Sequence, residues 1–140
     1  MNSSISNKDA GSLRRWGEAG FSLLSTMLAV MILGIVLAIA VPRFSAAIAA
    51  ANTVKVQADL TALDTAITLY RTTHGKNPES IDKLSDYMTD LAHLKPPSGK
   101  AQAEGKEVDL TGKSYALATV DSVCRAVCDG KTAEQYARKE

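Results

Sequence analysis

Residues 21–41 read FSLLSTMLAVMILGIVLAIAV, a run of 21 residues without a charged side chain in a chain of 140. Gly20 stands directly before the run and Pro42 directly after it. As an α-helix the run would be about 31 Å long at about 1.5 Å per residue, which matches a hydrocarbon core of about 30 Å. The sequence therefore predicts one membrane-spanning helix near the N-terminus.

The flanking charges favour a cytoplasmic N-terminus. Lys8, Arg14 and Arg15 precede the run, whereas Arg43 and Lys55 follow it. Basic residues concentrate on the cytoplasmic side of membrane helices, so this slight bias would place residues 43–140 outside the cytoplasm.

Two other interpretations treat the run as an export signal. A secretory signal peptide could be cut after Ala40 or Ala49, since both end a small-x-small pattern. A twin-arginine signal could be built on Arg14 and Arg15, although the Trp-Gly-Glu that follows is a poor context for one. Signal peptides have apolar regions of about 7 to 15 residues. The longer run here favours a membrane anchor.

The junction resembles the N-terminus of type IV prepilins, a signature that pilins share with type II secretion pseudopilins. The matching residues are Gly20, the Phe-Ser-Leu-Leu that follows from Phe21, and the apolar stretch that ends at Pro42. The resemblance covers about a quarter of the chain. It implies that a prepilin peptidase cuts on the cytoplasmic side after Gly20 and methylates the new amine of Phe21. Residues 1–20 would then be a leader that is removed.

Two positions depart from the family pattern. The fifth residue after the cut, which is nearly always glutamate in the family, is Ser25, and Glu18 lies close to Gly20. A carboxylate at the fifth position is thought to pair with the amine of a neighbouring subunit within the membrane, where an unpaired charge costs about 2.5 to 3.5 kcal/mol. Ser25 therefore implies different docking chemistry and favours a minor subunit over a major one. The competing interpretation is that Ser25 only bonds to its own helix.

The composition fits a single small domain after the membrane run. The leader holds three of the 16 basic and two of the 15 acidic residues, so residues 21–140 have 13 of each sign and no net charge. This balance gives no support for a general nucleic-acid surface. Nucleic acid is expected as a partner only through a DNA-uptake pilus, which would need a local basic patch.

An amphipathic helix is predicted to continue from the membrane run. Its apolar residues recur at helical steps of four, three, four and three: Val56, Leu60, Leu63, Ile67 and Tyr70. His74 and Gly75 supply a helix-end cation and a left-handed stop. Pro42 should kink the helix, since proline lacks a donor and clashes with the preceding turn.

The rest of the chain predicts short elements. A second helix is expected from Asn77, with Ile81, Leu84, Tyr87, Met88 and Leu91 on its buried side. Residues 95–113 are polar and predict a surface loop, in which residues 108–110 could form a short strand. Two strands are expected at 115–120 and 123–127, joined by a tight turn, and a brief helix from Thr132 to Tyr136. The predicted fold is α+β, a long N-terminal helix on a small antiparallel sheet.

Cys124 and Cys128 are the only cysteines. Outside the cytoplasm a disulfide is the expected state of such a pair. On an extended strand the two residues would be about 13 Å apart, too far for a bridge, whereas a helical or looped turn would bring them to about 6 Å. The disulfide is therefore predicted together with a bend at Arg125, and free thiols remain the alternative.

Catalysis and metal binding find little support. His74 and His93 are isolated, and the sequence has no phosphate loop, serine elbow or paired metal motif. Some pseudopilins bind calcium in a C-terminal loop, yet the spacing of Asp109, Asp121 and Asp129 matches no calcium loop. We expect a protein that is not an enzyme and carries no cofactor.

The sequence predicts a structural subunit of a type IV pilus or a type II secretion pseudopilus. Its expected parts are a leader at 1–20, a membrane and assembly half of the helix at 21–42, and a head domain at 43–140. Its expected partners are other pilin or pseudopilin subunits, the prepilin peptidase, the inner-membrane assembly platform and the lipid bilayer. The alternatives are an anchored binding protein that does not polymerise and a secreted binding module.

Overall fold

The computed structural model describes residues 10–137, and the side chains of residues 20–137. The chain divides into two compact units, one ending at Arg43 and the other beginning at Phe44. Helix α1, Ala10–His74, has 65 residues and contributes to both units. The predicted helix is therefore confirmed, and it begins further upstream than the apolar run alone indicated.

The C-terminal end of α1 lies where the sequence predicted it. Gly75 has a φ of 69°, and its N–H donates to the carbonyl of Arg71 at 2.8 Å. This left-handed cap satisfies one of the last carbonyls of the helix, and Arg71 and His74 lie in the final turn where a positive charge is favourable.

The core of the second unit is built on the predicted stripe of α1. All five stripe residues are buried, with Leu60 and Leu63 at 0% exposure. They pack with Leu84, Leu110 and residues of the later strands in one cluster. Burying a leucine side chain stabilises a fold by about 1.5–3 kcal/mol, so this stripe is what holds α1 in the second unit.

The predicted second helix is wrong. The chain instead forms two 3₁₀ turns, Ile81–Leu84 and Leu91–His93. Between and within them lie Ser, Asp and Thr residues, which compete for backbone hydrogen bonds and favour turns over helix interiors. The expected apolar side chains still pack on the core, with Leu84 buried and the others partly buried. The predicted burial of these residues is confirmed, although they lie in and around 3₁₀ turns and not on an α-helix.

Two antiparallel hairpins follow, each forming its own two-stranded sheet. The first pairs β1, Lys100–Ala103, with β2, Lys106–Asp109. The second pairs β3, Tyr115–Val120, with β4, Val123–Cys128. The second hairpin confirms the predicted strands and tight turn, since Asp121 and Ser122 have φ values of 49° and 68°. The fold is α+β as predicted, with two small sheets.

The first hairpin corrects the prediction of a surface loop at 95–113, although β2 overlaps the short strand expected at residues 108–110. Its strands, KAQA and KEVD, contain few of the β-branched and aromatic residues that favour strands. A two-residue turn forms it, because Glu104 and Gly105 adopt φ values of 51° and 75° that match the strand twist. Ala101 and Ala103 are buried against the core. Burial and turn geometry thus override weak strand propensity.

The short terminal helix is confirmed as α2, Ala133–Ala137. The side chain of Gln135 accepts a hydrogen bond from the N–H of Thr132 at 2.9 Å, which is one half of the predicted capping box. The hydroxyl of Tyr136 donates to the carbonyl of Cys128 at 3.0 Å and joins α2 to β4.

The prediction of a Cys124–Cys128 disulfide is wrong, since both cysteines are free thiols in this fold. They lie on the same extended strand, β4, opposite Thr119 and Tyr115. A strand that continues through Arg125 keeps residues four apart beyond disulfide reach. Burial raises the pKa of both thiols, so they stay protonated and unreactive near neutral pH.

Candidate functional site: the apolar segment and the sheet edges

The apolar part of α1 has no packing partner among residues 20–43, the described side chains of the first unit. Every residue from Gly20 to Arg43 is exposed, and Phe21 is 76% exposed. One helix, Gly20–His74, is long and apolar enough to cross a membrane among the residues the structure describes. Such a surface is stable only when lipid or other apolar chains surround it.

The residues predicted for processing and assembly lie along this exposed helix. Gly20 has open space around the position that a Cβ atom would occupy, and Phe21 follows it in the same helix. The hydroxyl of Thr26 donates to the carbonyl of Ser22 at 2.8 Å. Ser25 is exposed, and its hydroxyl has no hydrogen bond to a residue that the structure describes.

Pro42 lies inside α1, two residues before Phe44, where the second unit begins. Its ring removes one hydrogen-bond donor from the helix interior. The kink predicted there remains a prediction.

No group of three or more histidine, cysteine, aspartate or glutamate side chains comes close enough to hold a metal within residues 20–137. His74 is instead part of an aromatic cluster, with its ring stacked on Tyr70 at a centroid distance of 4.2 Å. The Tyr87 hydroxyl lies 3.4 Å from its Nδ1 atom. The ring therefore has a structural role at the end of α1.

Polar side chains of α1 hold the first hairpin. Asn52 donates from Nδ2 to the carbonyl of Lys100 at 2.9 Å, and the N–H of Gln102 donates to the Thr53 hydroxyl at 2.7 Å. These bonds use the backbone groups on the free side of β1. The side chains of α1 therefore cap the outer edge of this strand.

Asp64 of α1 holds the second hairpin in the same way. Its Oδ1 atom accepts from the N–H of Ala126 at 2.7 Å, and its Oδ2 atom accepts from Nε of Arg125 at 2.9 Å. Arg125 also donates to Glu134 of α2 at 3.0 Å. The Asp64 carboxylate thus provides acceptors for an outward backbone N–H of β4 and for the neighbouring arginine side chain.

A second carboxylate of α1 binds a buried tyrosine. The hydroxyl of Tyr115 donates to Oδ2 of Asp59 at 2.6 Å, and Lys55 forms an ion pair with the same oxygen at 2.6 Å. Burial, with the Asp59 carboxylate, raises the pKa of Tyr115 well above its ordinary value. Tyr115 therefore stays neutral and fixes the start of β3 against α1.

Sequence patterns alone do not identify Asn52, Thr53 and Asp64 as residues that hold the hairpins. In the sequence, Asp59 and Asp64 are polar residues that fall outside the apolar stripe of α1. Both carboxylates are partly buried at the margin of that stripe, with 15% and 18% of their side chains exposed. Their position next to buried leucines was the available sequence sign, but their partners lie 56 to 62 residues away along the chain.

Each hairpin has two outer strand edges. The edges of β1 and β4 are covered by other parts of the fold, whereas those of β2 and β3 are open. In an antiparallel pair, residues that are not hydrogen-bonded to each other direct their backbone groups outward. Ala126 and Cys128 bond outward to Asp64 and Lys131, so their opposite residues on β3, Leu117 and Tyr115, also point outward. These β3 groups have no backbone partner within the described part of the chain.

The open edges of β2 and β3 differ in charge. β2 carries Lys106, Glu107 and Asp109, and such charges protect an edge against pairing with another strand. β3, with the sequence YALATV, carries no charge. The edge of β3 is therefore the unprotected one.

No protein-family model, no curated protein and no solved structure matches this chain.

Proposed function

We propose that this protein is a fibre-forming subunit of the type IV pilin and pseudopilin class, processed after Gly20 and inserted through residues 21–41. The observation that carries the proposal is the uncharged, fully exposed stretch of α1 at residues 21–41, which begins directly after Gly20 and precedes a compact α+β unit that starts at Phe44. In this proposal the protein is not an enzyme. It acts by assembly from the inner membrane, with the second unit on the extracytoplasmic side.

The physical logic is an exchange of partners. A helix that is apolar on all sides can lie in lipid as a single span and can later be enclosed by equivalent helices of other subunits. Gly34 has no neighbouring atom within 4 Å of the position of a Cβ, so another backbone could approach it closely. The second unit would then supply contacts between subunits and the outer surface of the fibre.

The processing step is the most direct test. The full chain, recovered from membranes of a host with a prepilin peptidase, would be measured by intact mass and N-terminal sequencing. We expect an N-methylated Phe21, and we expect its loss in a matched Gly20→Ala variant. An intact Met1 in the parent chain would instead support an anchored protein that does not polymerise. A start at Val41 or Ala50 would mean a secreted module.

The role of Ser25 needs a separate experiment. An exposed hydroxyl cannot form the ion pair that a carboxylate would form with the amine of a neighbouring subunit. If Ser25 restricts the chain to a minor position, Ser25→Glu should increase its share in isolated fibres, with Thr26→Glu as the control for the added charge. Equal incorporation of parent and Ser25→Glu would remove Ser25 as a determinant.

A further inference from the structure

We infer that the open edge of β3 is a docking site for an extended segment of a partner protein, bound by strand addition. The segment would have alternating apolar side chains and at least one basic residue. This inference concerns the second unit alone and does not depend on fibre formation.

The first argument is the unused backbone of β3. Tyr115 and Leu117 direct their N–H and carbonyl groups away from β4, and Thr119 is at the equivalent position opposite Cys124. Main-chain bonds to such a row of groups are what give an added strand its affinity. The outer edges of β1 and β4 differ from that of β3, because side chains of α1 form hydrogen bonds with the backbone of both strands.

The second argument is a groove beside the same strand. It has a volume of about 560 Å³ and is lined on one side by residues 114–117. Apolar side chains from the 3₁₀ region line the other side: Ile81, Leu91 and Leu94. Its volume is within the range of about 300–1,000 Å³ that is typical of ligand sites. Because β3 and the 3₁₀ region both line the groove, a lone extended segment suits it better than a strand with a hairpin partner behind it.

The third argument is charge. Glu79 and Asp82 line the groove together with one basic residue, Lys95. Across residues 79–95 there are four acidic and two basic side chains. β3 has no charged side chain, so the excess of acidic residues beside the groove is not offset by the strand. A segment with a lysine or arginine beside its apolar positions would therefore be favoured over an acidic one.

The probe for this site is a synthetic hexapeptide, KVTVTV, blocked at both ends and added to the full chain in detergent micelles. Binding should slow hydrogen exchange at the outward amides of Leu117 and Thr119. At a peptide concentration of ten times the Kd, the slowing should be about tenfold, since the free fraction falls by that factor. The amide of Ala118, which bonds within the hairpin, should change much less.

Two controls separate strand addition from other binding. The same peptide with N-methyl groups on alternate residues cannot donate to β3 and should not slow the exchange. The acidic counterpart EVTVTV should bind about threefold more weakly, as expected for one exposed charge contact. Equal effects of the N-methylated and parent peptides, or no slowing by KVTVTV, would overturn the inference.

Leu117→Pro is the matched variant, because its N–H points outward and its loss removes no bond to β4. We expect it to abolish peptide binding while the thermal transition of the second unit is retained. If the proline prevents folding, Thr119→Lys places a charge on the edge and should weaken binding at least threefold. Slow exchange at Leu117 that depends on protein concentration, without any peptide, would identify a second copy as the occupant and contradict the partner segment.

Discussion

The two parts of α1 are equally helical but differ in what surrounds them. Residues 21–41 are apolar on every side and entirely exposed, whereas residues 56–70 place a single apolar stripe in a core. A helix with one apolar face needs a partner on one side, which this chain provides. A helix that is apolar all round needs surroundings that enclose it, and the described residues of the first unit do not provide them. The pattern of apolar residues, more than their number, determines which part folds by itself.

The largest difference should appear when one leucine is shortened in each part. Leu60→Ala leaves a cavity in the core and should lower the free energy of unfolding of the second unit by about 2–5 kcal/mol. Leu33→Ala, in the exposed part of α1, should leave it unchanged. Chemical unfolding of the full chain in detergent, followed by tyrosine fluorescence, would measure both. Equal losses of unfolding free energy in the two variants would contradict the claim that only the second part of α1 belongs to a core.

A smaller effect is expected at the polar contacts, which only the second part of α1 makes. Asp64→Ala would leave the N–H of Ala126 without a partner at a buried position and should cost about 1–3 kcal/mol. Glu134→Ala removes the other carboxylate on Arg125, but the Glu134 side chain is 71% exposed. That control should cost less than about 1 kcal/mol. A Glu134 effect as large as that of Asp64 would show that Arg125, and not the strand edge, is what Asp64 stabilises.

Alkaline pH should destabilise the second unit only. Burial raises the pKa of Tyr115 and Tyr136 above the ordinary value of 10.0, whereas unfolded tyrosines ionise near that value. Their stabilising contribution is therefore complete below about pH 10 and is lost as the pH rises further. Tyrosinate absorbance should appear together with loss of near-ultraviolet circular dichroism. Ionisation of both tyrosines near pH 10 with the fold retained would contradict this coupling.

The smallest effect should come from the turn between β3 and β4. Ser122 has a φ of 68°, a conformation that costs a non-glycine residue about 1 kcal/mol. Ser122→Gly should raise the midpoint of thermal unfolding by a few degrees. Ser122→Val should lower it, since a β-branched residue is least suited to positive φ. The opposite order of the two variants would exclude turn strain as the cause.

Local and periodic features were predictable from the sequence. Each of these features depends on residues that are close together in the sequence: the apolar run, the five-residue stripe, the stop at Gly75 and the β3–β4 turn. These features suffice for the α+β class and for the order of most elements.

Features that depend on distant partners were not predictable. The weak strands β1 and β2 form because α1 caps the edge through Asn52 and Thr53, about 48 residues away. The region after Pro78 buries its predicted apolar residues in 3₁₀ turns and not in a helix, and periodicity does not distinguish the two when only four or five residues are buried. The prediction of a disulfide was wrong because β4 stays extended through Arg125, which keeps Cys124 and Cys128 too far apart.

The most direct test of this account is the behaviour of residues 44–140 without the preceding segment. If the second unit holds its own core, this fragment should be soluble without detergent, with a dispersed amide spectrum and one cooperative thermal transition. The full chain should need lipid or detergent to reach the same state. A fragment that is insoluble, or that lacks a cooperative transition, would contradict the claim that the stripe of α1 and its two hairpins form a self-sufficient fold.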